Sequence, residues 1–268
     1  MLIDTHCHLT SRQFRGKVRD VLRRATDAGV TRAILVAEDP RDAHAGLELL
    51  EEHANLYLAA GVHPHRAAKC DRDVLTALAE VLRGERARSD LKPRIVAVGE
   101  TGLDFHYDFS PRKQQEEVFH AQLTLAVQLG RPVVIHARAA EVRVCEILAD
   151  YAALAGRVVF HCFSADTTIA RRVLDLGCSC SFTGVVTFPK AEAIQQAARY
   201  VPRDRIMLET DAPYLSPEPV RKIRPNEPAL LVHTARFLAD WRGETLDTLA
   251  AATTANAVRF FGLREDAS

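Results

Sequence analysis

VVFHCFSADTTIARRVLDLGCSCSFTG, residues 158–184, contains one complete structural unit. It opens on an apolar, β-branched run (158–163) and passes through a segment of helical period that closes on Gly177. It then returns to a second short run at 178–184. Glycine commonly ends a helix because it takes the left-handed conformation without strain. Strand, helix and strand in that order imply parallel strands joined by a crossover helix.

The same rhythm extends in both directions. Further strand-like runs fall at 2–8, 33–36, 57–63, 94–100, 132–137 and 206–211, which brings the expected strands to eight. Between them lie helical stretches such as VRDVLRRATDAG, ending at Gly29, and PRKQQEEVFHAQLTLAVQLG, ending at Gly130. Ser110 and Pro111 open the latter, a cap followed by a residue suited to the first turn. The runs are apolar enough to be buried on both faces, as parallel strands require. Eight such units predict an α/β protein with a TIM-like (β/α)8 barrel, and a doubly wound sheet is the alternative. No linker rich in Pro, Gly or Ser divides the 268 residues, so one domain over 1–268 is expected.

Composition narrows the class. Lys plus Arg and Asp plus Glu number 35 each, so the net charge is zero; this argues against a bulk polyanion binder but leaves a local basic patch open. With 47% hydrophobic and 26% charged residues the chain is neither disordered nor fibrous. The start, MLIDTHCHLT, shows no signal-peptide pattern, and no uninterrupted apolar run reaches the roughly 18 residues of a spanning helix. The six cysteines (Cys7, Cys70, Cys145, Cys162, Cys178 and Cys180) form no CxxC pair. Reduced thiols and a cytoplasmic location without membrane partners are therefore expected.

The ionisable residues carry the functional signal. His6 and His8 close the first expected strand, His63 the third, Glu100 the fourth, His136 the fifth, His161 the sixth and Asp211 the eighth. In a barrel the carboxyl ends of all strands meet on one rim, where active sites sit. His65 lies just beyond the third, and the remaining histidines (His44, His53, His106, His120, His233) fall in helices or loops and receive no role. A single histidine at a strand end is ordinarily a hydrogen-bonded structural residue. Four strand ends bearing histidine, completed by two carboxylates, would demand many compensating hydrogen bonds if no cation were bound. A divalent-metal centre is the expectation.

Strand alternation projects His6 and His8 to one face and turns Cys7 to the other. By the same rule Cys162 opposes His161, and Cys178 and Cys180 read as packing residues. Asp4 shares the parity of His6, either as a satisfied barrel carboxylate or as a partner orienting a ligand. Glu209, one layer below Asp211, reads as a buried carboxylate tied to a Lys or Arg, with a ligand-orienting role as the alternative. Four imidazoles and two carboxylates exceed one tetrahedral site and suit two cations sharing a carboxylate, about 3.5–4 Å apart. Mixed nitrogen and oxygen ligands fit Zn, Mn or Fe, whereas Mg sits more easily on oxygen; Mg, Mn and Zn all stay open.

Taken together, HCH at 6–8, GVHPH at 61–65, GETGLDF at 99–105, IHAR at 135–138, FHCFS at 160–164 and LETDAPYLSP at 208–217 resemble the TatD family of metal-dependent hydrolases. The resemblance implies a TIM-like barrel with two divalent ions that cleaves nucleic-acid phosphodiesters, often as a 3′-to-5′ exonuclease on single strands. By motif, His6, His8 and Asp211 correspond to ligands of one metal and His136 and His161 to those of the other, with Glu100 bridging. His63, with His65 beside it, lies where substrate phosphate is expected. The implied chemistry is in-line attack on phosphorus by a metal-bound water, with Asp211 orienting or deprotonating it. Two departures stand out: Ala165 where the family usually has glycine, and RKIRPNEP at 221–228, with Pro225 before Asn226. The basic run Arg221, Lys222 and Arg224 could grip a nucleic-acid backbone. The alternatives are an amidohydrolase-like enzyme acting on an ester, amide or lactone, a D-aminoacyl-tRNA deacylase, and a non-catalytic metal binder. The oligomeric state is open, and a monomer is compatible with the sequence.

Overall fold

The computed structural model describes residues 1–264. Its strands are β1 (Leu2–Cys7), β2 (Val30–Ala37), β3 (Leu56–Ala60), β4 (Ile95–Asp104), β5 (Val133–Arg138), β6 (Val158–Phe160), β7 (Ser179–Phe182) and β8 (Ile206–Leu208). Each pairs in parallel with the next in chain order. The ring meets itself where Cys7 bridges Ala212, and the His8 N–H donates to the Ala212 carbonyl at 2.7 Å. A strand order without reversal excludes the doubly wound sheet; the architecture is the expected TIM-like barrel.

Helices α1 (Val18–Asp27), α2 (Pro40–Glu52), α3 (Arg72–Leu82), α4 (Arg112–Leu129), α5 (Glu141–Ala149), α6 (Thr167–Asp175) and α7 (Glu192–Tyr200) each follow the strand of the same number. Two more, α8 (Leu231–Arg242) and α9 (Leu246–Phe261), follow β8. Asp39, Asp71 and Asp166 cap α2, α3 and α6 by accepting first-turn N–H groups. Alternation along the strands builds two cores. Ile34, Val36, Val96, Val134, Val159 and Met207 form one cluster with Phe261 of α9. Leu35, Leu58, Val98, Val133 and Cys180 belong to the other, which joins the sheet to the helical shell. No described helix is long and apolar enough to cross a membrane.

Local chemistry departs from the sequence reading in places. Ser110 does not cap α4: its hydroxyl accepts from the Ala68 N–H and donates to the His65 carbonyl, both at 3.0 Å. The serine thus fastens the loop ahead of α4 to the short helical turn Pro64–Lys69. The register of β1 against β2 shifts between Asp4 and Cys7, which breaks the strict alternation assumed for that strand. Asp4 accepts from the Thr210 N–H and hydroxyl and from the His6 N–H, and hydrogen-bonds no imidazole ring. It is the satisfied barrel carboxylate, tying β1 to the segment after β8. Its burial pushes its pKa up to about 7 against those hydrogen bonds.

A second shift, in β4 between Val98 and Thr101, shapes the site. Gly102 has φ +139°, and a Cβ there would lie 2.0 Å from the His136 carbonyl oxygen. Gly102→Ala is expected to cost at least about 2 kcal/mol, through both strain and clash. Gly243→Ala, at φ +69° with nothing within 4 Å of its Cβ, should cost only about 1–2 kcal/mol. Urea unfolding midpoints of the two variants test this, and equal losses would mean that β4 tolerates a side chain against β5.

Candidate metal centre

β4 does not end at Glu100, as the sequence suggested, but runs on to Asp104 because pairing with β5 resumes from Thr101↔Ile135 to Asp104↔Arg138. The irregularity just before Thr101 aims Glu100 into the barrel mouth, a common use of a bulge. There its buried carboxylate is surrounded by imidazoles. Oε1 lies 2.8 Å from His136 Nδ1, 2.8 Å from His161 Nε2 and 3.4 Å from His63 Nε2. Oε2 lies 3.4 Å from His6 Nε2 and 3.9 Å from His8 Nε2. Asp211 Oδ1 is 3.8 Å and 3.4 Å from the same two nitrogens. All six sequence-predicted ligands therefore converge.

The outward nitrogens fix what the inward ones can do. His8 Nδ1 donates to the Val36 carbonyl at 3.0 Å, His161 Nδ1 to Glu209 Oε1 at 3.1 Å and His136 Nε2 to Asp104 Oδ2 at 3.1 Å. In its neutral form each of these rings turns a lone pair toward the centre. His6 Nε2 and His8 Nε2 face one another at 3.2 Å, while His6 Nδ1 is buried without a hydrogen-bond partner. Lone pairs converging on carboxylate oxygens suit a divalent cation. In the metal-free chain protons take that part. Burial alone would lower His8, but the hydrogen bond and charge of Asp211 outweigh it and raise the ring to about 9. His136 and His161 are raised against their burial by Asp104, Glu100 and Glu209. Glu100, which burial would raise, is held well below the usual carboxylate range by the imidazoles.

His63 is built differently. It lies three residues past β3 and caps the turn Pro64–Lys69, its Nδ1 accepting the His65 N–H at 3.1 Å. Its proton is therefore on Nε2, facing Glu100. Burial drives its pKa down to about 4, so the ring stays neutral. Although His63, Glu100 and His136 cluster closely enough to hold an ion, this tautomer presents a donor rather than a ligand.

Two carboxylates complete the centre. Asp104, which the sequence reading passed over, accepts from His136 and, at 2.8 Å, from His65 Nε2. The signal was available in GETGLDF, where Asp104 shares the parity of Glu100. Among the described residues Glu209 pairs with no Lys or Arg; its Oε1 accepts from His161 and from the Cys162 N–H. Cys162 itself lines the mouth instead of opposing His161, because β6 ends at Phe160 and Cys162 adopts φ +44°. Asp211 is likewise left-handed, at φ +55°. Non-glycine residues held there store roughly 1–3 kcal/mol and concentrate at functional sites.

The centre opens into a cavity of about 540 Å³ whose wall includes His65, Tyr107, Arg138 and Tyr214. The basic run is not part of that wall. Arg221 lies 3.8 Å over the Phe188 ring and Arg224 donates to Ser216. In the departing segment Asn226 is buried and donates to the Thr210 and Tyr214 carbonyls. Ala165 is not among the residues with positive φ.

Because His8, His136 and His161 carry raised pKa values, a cation must displace protons to bind at neutral pH. Metal binding is expected to release protons, and affinity should rise with pH up to about 9, the value for His8. Calorimetric titration of the metal-free protein with Zn or Mn in buffers of different ionisation enthalpy checks this. Affinity independent of pH between 6 and 9 would remove these histidines from the centre.

Residues 3–262 match the family described as TatD related DNase. The chain is 36% identical over 267 residues to the 3′-5′ ssDNA/RNA exonuclease TatD of Pantoea ananatis, covering 98% of this chain and 100% of that relative. It is 35% identical over 261 residues to the uncharacterized metal-dependent hydrolase YabD of Bacillus subtilis, covering 97% and 99%. Among solved structures, YJJV, a TatD homologue from Escherichia coli K12, matches with a TM-score of 0.90 and 31% identity over 98% of each chain. With the likeness spanning the whole barrel and its histidine-rich mouth, this chain belongs to the TatD family of metal-dependent hydrolases.

Proposed function

We propose that this protein cleaves nucleic-acid phosphodiester bonds as a 3′-to-5′ exonuclease on single-stranded DNA or RNA, using two divalent ions (Mg, Mn or Zn). In this reading His6, His8 and Asp211 would hold one ion and His136 and His161 the other, with Glu100 shared between them. One observation carries it: the two oxygens of Glu100 divide the imidazoles, Oε1 facing His136 and His161 and Oε2 facing His6 and His8. The family description and the name of the Pantoea relative support a nucleic-acid substrate.

When bound, the ions supply positive charge that polarises a phosphate and makes water more acidic. His63 donates its Nε2 proton to a phosphate oxygen and, being neutral, does so throughout the neutral pH range. Asp211 is held below the usual carboxylate range, against its burial, by its hydrogen bond to His8. It is therefore ionised at neutral pH and able to orient the attacking water and accept its proton. Arg138, exposed at the cavity wall, attracts the substrate backbone.

End-labelled single-stranded DNA and RNA, incubated with Mg, Mn or Zn beside a D-aminoacyl-tRNA, test the reading. A metal-dependent ladder from the 3′ end is expected, abolished in Glu100→Ala. Asp104→Asn and Glu209→Gln, which act through His136 and His161, should each lose about 10–100-fold. Release of a D-amino acid with intact oligonucleotides would make the protein a deacylase, and full activity of Glu100→Ala would remove the bridged centre.

A further inference from the structure

The barrel mouth carries aromatic side chains that the hydrolytic step does not use. Tyr107 and Phe109, in the loop between β4 and α4, are 45% and 66% exposed, and Tyr214 across the mouth is 52% exposed. Leaving a large apolar side chain in water forgoes the stabilisation its burial would give. Two neighbours exposed as an ordered pair call for a reason that scattered ones do not. The Tyr107 and Phe109 rings are 5.2 Å apart and within 12° of parallel, an offset stack.

The pair is seated firmly. Phe109 meets His65 edge to face at 4.8 Å, and Tyr107 does so at 5.7 Å. His65 is hydrogen-bonded to Asp104, whose Oδ1 accepts the Tyr107 N–H at 2.9 Å. Between the two aromatics, Asp108 takes φ +50° and pairs with Arg112 at 2.9 Å. The Arg138 guanidinium lies 4.6 Å from the Tyr107 ring centre, on the wall of the same cavity. A stacked aromatic pair with a guanidinium over its Tyr107 ring, one histidine removed from His136, complements a nucleobase joined to a phosphate.

We propose that the stacked Tyr107–Phe109 pair is a platform for the unpaired base adjoining the scissile phosphate, and that it selects single-stranded ends. The proposal rests on the nucleic-acid reading above and adds the group that recognises the substrate. A base inside a duplex has both faces covered by its neighbours and must unstack before it can lie on the platform. An end without a partner strand has less to give up. Because every base has a π-face, selection by stacking tolerates any sequence, with purines favoured by their larger rings.

The test uses the metal-loaded protein and two single-stranded DNA oligonucleotides, one unmodified and one with two abasic residues at its 3′ end. The wild type should favour the unmodified strand by about tenfold or more in kcat/KM, mostly through KM. In Phe109→Ala that preference should collapse toward one, and Phe109→Trp should restore it. An equal loss on both substrates, or a preference that survives in Phe109→Ala, would overturn the platform while leaving the nuclease intact. A wild-type protein that cuts neither strand would overturn the nucleic-acid reading and the platform with it.

Discussion

The buried carboxylate of Glu100 is the constraint on which the rest of the molecule turns. An isolated carboxylate in so dry a place would be costly, and burial by itself pushes it toward the neutral form. Five imidazole nitrogens within 2.8–3.9 Å reverse that tendency. Those imidazoles come from the segments at or just beyond the ends of β1, β3, β5 and β6, so no local stretch of chain could assemble them. A ring of parallel strands gathers them without long loops. Carboxylate charge raises His8, His136 and His161 in return, and the same nitrogens and oxygens are the groups that would hold a divalent cation.

Convergence alone would leave the rings free to rotate. Three of them are locked by an acceptor on the far side: Val36 for His8, Glu209 for His161 and Asp104 for His136. Glu209 and Asp211 share the short segment after β8, the first holding His161 and the second facing His6 and His8. That segment is braced in turn by Asp4 and Asn226 through Thr210. The left-handed backbone of Asp211 is sustained by this bracing, since its N–H donates to the His6 carbonyl at 2.9 Å. The strain resides where strands end, where the pleat no longer dictates which way a side chain points.

This division also explains what could be read from the sequence. The strand–helix rhythm and the polar residues at strand ends are one-dimensional signals, and they gave the barrel and the six converging side chains. Parity arguments held where pairing is regular and failed where it is not. Cys162 lies beyond the end of β6, so alternation says nothing about it. Asp4 was open between two roles, and its hydrogen bonds to Thr210 and His6 make it the satisfied barrel carboxylate. Asp104 was hidden because β4 was read as stopping at Glu100, and a bulge that lets a strand continue has no signature beyond its glycines. Ser110 looked like a cap because its spacing is right, but the neighbouring Pro64–Lys69 turn offered its hydroxyl other partners.

Asp104 ties the imidazole cluster to the aromatic loop. One of its oxygens accepts from both His136 and His65; the other accepts the backbone N–H groups of His106 and Tyr107. A single carboxylate thereby fixes a ring beside Glu100, the histidine at the rim and the first residues of the aromatic loop. Its hydrogen bonds to these groups, together with His136, hold it below the usual carboxylate range despite its burial, so it stays an acceptor for all of them at neutral pH. Any shift of β4 against β5 would move His136 and the loop together. The bulge that aims Glu100 inward therefore also sets the distance between the imidazole cluster and the Tyr107–Phe109 pair, because both positions are measured from the same strand.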